Sequence, residues 1–150
     1  MKLWLLRHGE AEPRARSDAE RALTEHGRQE VRKSAKRLRG EPLAHILVSP
    51  YRRAQQTAEL VREILGLELP LTTLDWLTPD DDPRLVAARL ENYPGDCLLV
   101  SHNPLLGHLG GFLQHGHLQE PLQLHTASLA LLEGETIPGL MHLVALHHPH

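Results

Sequence analysis

The sequence predicts an α/β fold: a three-layer sandwich whose mainly parallel central sheet carries helices on both faces. Three observations point to it. Short apolar runs of strand length alternate along the chain with amphipathic stretches of helical period. The apolar runs are nearly continuous, as expected for strands covered on both faces. Three of them stop abruptly, after Leu6, Val48 and Val100, in polar residues and turn formers, which is how a strand hands over to a helix in such folds.

Each element has its own signals. Lys2 to Leu6 is short, apolar and closed by Gly9, and reads as a buried opening strand. Thr24 is placed to cap a helix running to about Leu38, with Val31, Ala35 and Leu38 on one face and Gly40 as its stop. His45 to Val48 is the second strand, broken by Ser49-Pro50. A helix follows from about Tyr51 to Leu65, with Ala54, Ala58, Val61 and Leu65 as its stripe and Gly66 after it. A short strand near Leu71 to Leu74 leads into the loop Thr78-Pro79-Asp80-Asp81-Asp82. Asp82-Pro83 supplies a cap and a proline at the first helical position, for a helix to about Asn92. Cys97 to Val100 is a further strand, and Leu105 to Gln114 a helix weakened by Gly107, Gly110 and Gly111. Leu124 to Leu132 and Leu140 to Leu146 read as the last strands.

Length and composition narrow the function. A chain of 150 residues fits one domain spanning 1–150 with a real core. Aromatic residues are only 3% of the chain, so Leu and Ala must fill most of that core. A net charge of −3 offers no electrostatic footprint for nucleic acid, and no apolar run is long enough to cross a membrane. Neither nucleic acid nor membrane is expected as a partner. Cys97 is alone, which fits a reducing, cytoplasmic setting. The 12 histidines, several of them near the C-terminus at His142, His147, His148 and His150, show no recognised metal-ligand spacing. A His-rich metal-binding protein is the weakest of the readings considered.

The chemistry lies at the strand ends. Leu6-Arg7-His8-Gly9, Val48-Ser49-Pro50-Tyr51-Arg52-Arg53-Ala54 and Val100-Ser101-His102-Asn103-Pro104 each follow an apolar run. If the strands are parallel, all three junctions meet at the carboxyl edge of the sheet, where α/β proteins bind ligands. Arginine offers a planar fork for phosphate, and a neutral imidazole can act as a nucleophile. Two arginines and two histidines would thus face one concave site.

These three segments, in this order, resemble the signature segments of the histidine phosphatase superfamily, whose fold is phosphoglycerate mutase-like. The short length, Ser17-Asp18 with Arg21-Ala22-Leu23-Thr24 and Gly27, and Leu77-Thr78-Pro79 resemble its SixA-type phosphohistidine phosphatase branch. The resemblance runs from Lys2 to about Leu132. It implies that His8 is the nucleophile that becomes phosphorylated. It implies too that Arg7 and Arg52 bind the phosphoryl oxygens and that His102 faces the same phosphate. If protonated, His102 would add a third cationic donor. Arg53 is expected to be a solvent-exposed or packing neighbour of Arg52. Arg21 is a candidate substrate contact, Asp18 a candidate to orient it, and Glu10 or the strand-end backbone a candidate to orient His8. No cofactor and no metal are expected, because the Arg/His cluster supplies the positive charge.

The sequence departs from that pattern at Trp76, where many relatives carry a glutamate that can act as general acid; Asp75 stands beside it. An alkoxide leaving group is strongly basic and gains much from such a proton, whereas a phosphohistidine can depart as neutral imidazole. The segment between Arg52 and His102 is also too short for a large lid, so an open site is expected. Together these favour a phosphohistidine on a partner protein, of phosphorelay or carrier type. The rivals are a phosphatase of sugar phosphates or other metabolites and a non-catalytic phosphate-binding module.

Overall fold

The computed structural model describes residues 1–150, and its central sheet has six strands in the order β3-β2-β4-β1-β5-β6. These are β1 (Lys2–Arg7), β2 (His45–Val48), β3 (Leu71–Thr73), β4 (Cys97–Ser101), β5 (Leu129–Gly134) and β6 (Met141–His147). The pairs β3–β2, β2–β4 and β4–β1 are parallel, and β1–β5 and β5–β6 are antiparallel. The helices are α1 (Glu25–Ala35), α2 (Arg52–Leu65), α3 (Pro83–Arg89) and α4 (Leu105–His115).

Alternation along the strands feeds two cores. Leu3, Leu5, Leu47 and Leu99 pack against α3, the 3-10 turn that follows it and α4, through Val86, Leu90, Leu105, Leu106 and Leu109. Trp4, Leu6, Ile46, Val48, Leu98 and Val100 pack against α1 and α2, through Val31, Ala35, Ala54, Ala58 and Val61. Because both faces are covered there, Leu3 to Leu6, Ile46 to Val48 and Cys97 to Val100 are apolar at consecutive positions. Each fully buried Leu contributes roughly 1.5–3 kcal/mol of transfer free energy.

The capping signals fold as read. Thr24 Oγ1 accepts the Gly27 N–H at 2.9 Å at the start of α1, and Asp82 Oδ1 accepts the Arg84 N–H at 2.9 Å at the start of α3. The glycines of α4 serve close packing. A Cβ at Gly111 would run into the Glu120 carbonyl, and one at Gly107 would sit 2.7 Å from the Leu122 carbonyl oxygen. The segment Glu120–Leu122 therefore lies directly on the helix backbone. No helix is long and apolar enough to cross a membrane.

One expected strand is shorter than its pattern. Leu124 to Ser128 is a loop, and β5 begins only at Leu129. Leu124 and Ala127 are buried, so the apolar pattern runs through them. Their backbone, however, serves the strand tips instead of a ladder. Ala127 sits at φ +55°, and its N–H donates to the His8 carbonyl at 2.9 Å.

Candidate active site

Parallel register brings the three junctions together. Arg7 pairs with Ser101 and Val48 with Val100. The ladder continues one step beyond the strands: His8 N–H donates to Ser101 O at 3.1 Å and Ser49 N–H to Val100 O at 3.0 Å. Backbone bonds thus fix His8, Ser49 and His102 at one edge. The His8 and His102 ring centres are 5.0 Å apart, with the rings edge to face.

The backbone orients His8. Its Nδ1–H donates to the carbonyl of Gly9 at 2.7 Å, which leaves the lone pair on Nε2. Glu10 takes no part, since its carboxylate accepts from Thr24 Oγ1 at 2.9 Å. Burial, offset in part by the Gly9 bond and reinforced by Arg53, Arg7 and Arg21, lowers the His8 pKa to about 4. With that pKa the imidazole is neutral at physiological pH.

The second arginine is Arg53, which corrects the expectation placed on Arg52. Arg53 is buried, and its Nε–H donates to His8 Nε2 at 3.2 Å. Its Nη1 donates to the Asp18 carbonyl at 2.6 Å and its Nη2 to Asp18 Oδ2 at 3.1 Å. The guanidinium also lies 5.0 Å from the centre of the Tyr51 ring. Arg52 is exposed and makes no side-chain hydrogen bond or ion pair. The cause is helical geometry: α2 begins at Arg52, and each further residue turns about 100°. Arg52 shares the outer stripe with Glu59 and Glu63, while Arg53 shares the inner one with Thr57 and Leu60. That stripe was present in the sequence and would have chosen Arg53. Thr57 ties the helix to the loop after β1, accepting the Gly9 N–H at 3.2 Å and donating to Arg53 O at 2.8 Å.

Arg7 is half-buried and donates through Nη1 to the Leu124 carbonyl at 3.0 Å, while its Nε has no protein partner. Burial lowers its pKa; the Glu30 carboxylate opposes that shift and Arg53 adds to it. Glu30, itself only 3% exposed, accepts from the Glu10 N–H and Thr126 Oγ1 at 2.9 Å each, and from His150.

His102 is 1% exposed. Its Nε2 is 2.6 Å from Ser49 Oγ, and its Nδ1 has no partner. Burial first, then His8 and Arg53, push its pKa far down. In the free protein it is a neutral ring, not the cationic donor anticipated.

Asp18 and Arg21 come together on the rim. Arg21 Nη1 donates to Asp18 Oδ1 at 2.8 Å and its Nε to the Glu12 carbonyl at 2.6 Å. Asp18 also holds Arg53, a link the sequence reading missed. These bonds hold the Asp18 carboxyl below its usual range, with Arg21 the largest cause. Asp75 is exposed in the turn after β3 and makes no hydrogen bond or ion pair with the site residues. Trp76 packs on Tyr93 and beneath the Arg89 guanidinium. Near the C-terminus, His125 stacks on His148 beside His150, yet no group of three or more His, Cys, Asp or Glu is arranged to hold a metal ion.

Similarity to known proteins runs the same way. A family model described as histidine phosphatase superfamily (branch 1) matches residues 3–78. Phosphohistidine phosphatase SixA of Escherichia coli (strain K12) is 37% identical over 136 residues, which is 87% of this chain and 83% of that protein. The Phosphohistidine phosphatase SixA homolog of Haemophilus influenzae is 34% identical over 157 residues, 95% of this chain and 94% of the other. A solved structure of the protein histidine phosphatase SixA complexed with tungstate superposes with a TM-score of 0.89 at 34% identity. It covers 99% of this chain and 97% of its own.

Proposed function

This chain is a phosphatase of the histidine phosphatase superfamily, and on that premise we propose that it removes the phosphoryl group from a phosphohistidine on a partner protein. The observation that carries the mechanism is the state of His8. Its Nδ1–H is committed to Gly9 O, so Nε2 presents a lone pair amid Arg53, Arg7 and His102. Phosphoryl transfer asks for this kind of positioning and positive charge more than for elaborate covalent chemistry. Tungstate, bound in the SixA structure named above, is a tetrahedral oxyanion like phosphate.

The reaction has two steps. An arriving phosphoryl oxygen takes over the Arg53 N–H that rests on His8 Nε2. The freed lone pair attacks phosphorus, the partner's P–N bond breaks, and the partner histidine leaves as a neutral imidazole whose other nitrogen keeps its proton. Water then attacks phosphorus, the His8 Nε2–P bond breaks, and the phosphoryl group leaves with the water's oxygen and both its protons as dihydrogen phosphate, restoring the imidazole with its proton on Nδ1. Arg7 and Arg53 carry the oxygens throughout, and this leaves no task for a metal.

The phosphohistidine reading rests on the leaving group. With Asp75 exposed and Trp76 engaged elsewhere, a substrate that leaves without a donated proton is favoured over an ester. The test is turnover of phosphohistidine proteins beside aryl, alkyl and sugar phosphates, with and without chelator, and trapping of an acid-labile phosphoenzyme. Phosphate on His8, higher kcat/KM for the phosphoproteins and indifference to chelator are expected. Phosphate on another residue, full activity in His8→Ala, or preference for one metabolite would reject the corresponding part.

A further inference from the structure

Ser49 lies outside the four residues that the sequence marks as the phosphate site, yet it is fully buried against one of them. Its Oγ accepts the Tyr51 N–H at 3.2 Å and stands 2.6 Å from His102 Nε2. No other acceptor lies within reach of its hydroxyl hydrogen. Two proton arrangements are open to the pair. If His102 carries its proton on Nε2 and donates to Ser49, the serine hydrogen is stranded, and Nδ1 becomes a bare lone pair in the wall of an anion site. If Ser49 donates to Nε2, the hydroxyl uses both its hydrogen and a lone pair, and the only unmet group is an Nδ1–H. Nδ1 is the one polar side-chain atom of His102 with no protein partner. An unmet buried donor is costly on its own and is satisfied when a phosphoryl oxygen arrives.

We propose that Ser49 is a positioning residue which, by donating its hydroxyl hydrogen to His102 Nε2, fixes the proton on Nδ1 and so turns His102 into a neutral hydrogen-bond donor for the phosphoryl group. The inference rests on the phosphate-site reading above and refines it: His102 serves by its tautomer, not by its charge. The Tyr51 N–H at the start of α2 holds Ser49 Oγ in place, so the same turn that launches Arg53 also sets the second histidine.

Nitrogen-15 NMR of the full chain reads the tautomer directly. In the wild type, His102 is expected to be protonated at Nδ1 and bare at Nε2; a proton on Nε2 overturns the proposal, and this reading needs no variant. Titration with inorganic phosphate should move the His8 ring signals and the His102 Nδ1–H together. A response of His8 without His102 overturns the inference alone; silence of both overturns the phosphate site with it. In Ser49→Ala, His102 should become a mixture of tautomers, with kcat/KM for a phosphoprotein lowered roughly ten- to hundredfold, the equivalent of one charge-assisted hydrogen bond. Ser49→Thr, which keeps the hydroxyl, should restore the single tautomer. A folded Ser49→Ala protein with His102 still wholly Nδ1–H would refute the role given to Ser49.

Discussion

Replacing Arg53 by alanine removes three hydrogen bonds and a buried charge from around His8. Replacing Arg52 removes a solvated side chain from the outer face of α2. Charge-assisted bonds to an anion are each worth about 1.5–3 kcal/mol, so Arg53→Ala should lower kcat/KM about a hundredfold or more. Arg52→Ala should stay within about threefold, as surface changes usually do. Steady-state kinetics on one phosphoprotein decides this, and equal losses would contradict the placement. Asp75→Asn belongs at the same scale. It should leave phosphohistidine hydrolysis unchanged, and a large loss there would mean that a proton donor is needed after all. At the level of residues the junctions were enough to bring Arg7, His8 and His102 to one edge of the sheet. It missed Arg53 because motif order alone does not say which of two adjacent arginines faces inward. Ser49, Thr57 and Glu30 were missed because a polar residue buried for its hydrogen bonds looks, in a sequence, like any other turn or helix residue.

Among the elements, α1 and the loop after β1 press together at Gly27. A Cβ there would run into the carbonyl and amide of Glu10, one residue beyond the Gly9 carbonyl that orients His8. Gly27→Ala should therefore destabilise the fold by about 1–3 kcal/mol, as overpacking does, and should cost activity as well. Chemical denaturation and turnover measured on the same protein test both halves. Unchanged values would show that the loop yields freely. Helix caps, stop glycines and most strand limits were legible, because they depend on local chemistry. The loop from Leu124 to Ser128 was not. Its burial comes from packing on strand tips that lie far away in sequence, and only the completed sheet reveals that its carbonyls and amides serve Arg7, Asn103 and His8.

For the molecule as a whole, the buried histidines tie stability to pH. The unfolded His8 imidazole titrates near 6.5 and the folded one at about 4. Between those values the unfolded chain binds more protons, so stability is intact above about pH 6.5 and falls as pH drops toward 4. His102, displaced in the same direction, adds to the loss. Denaturation midpoints measured across that window should decline, and His8→Asn should decline less steeply. A His8→Asn profile parallel to that of the wild type would contradict the assignment. The alternation of strands and helices made the covered parallel sheet legible from the start, since strands buried on both faces leave a continuous apolar record. The antiparallel edge made by β5 and β6 left a weaker one, because β6 is largely exposed.

The ladder bonds that extend past β1 and β2 onto β4 involve main-chain atoms alone. The strand-end geometry is therefore anchored by groups that every substitution except proline leaves in place. Ser17 on the rim and Asp75 in the turn after β3, both exposed, carry no such burden. If the phosphoprotein proposed as substrate docks there, its contact residues can be exchanged while the strand-end centre stays in place, and a change of client would leave its trace on the rim and none at His8.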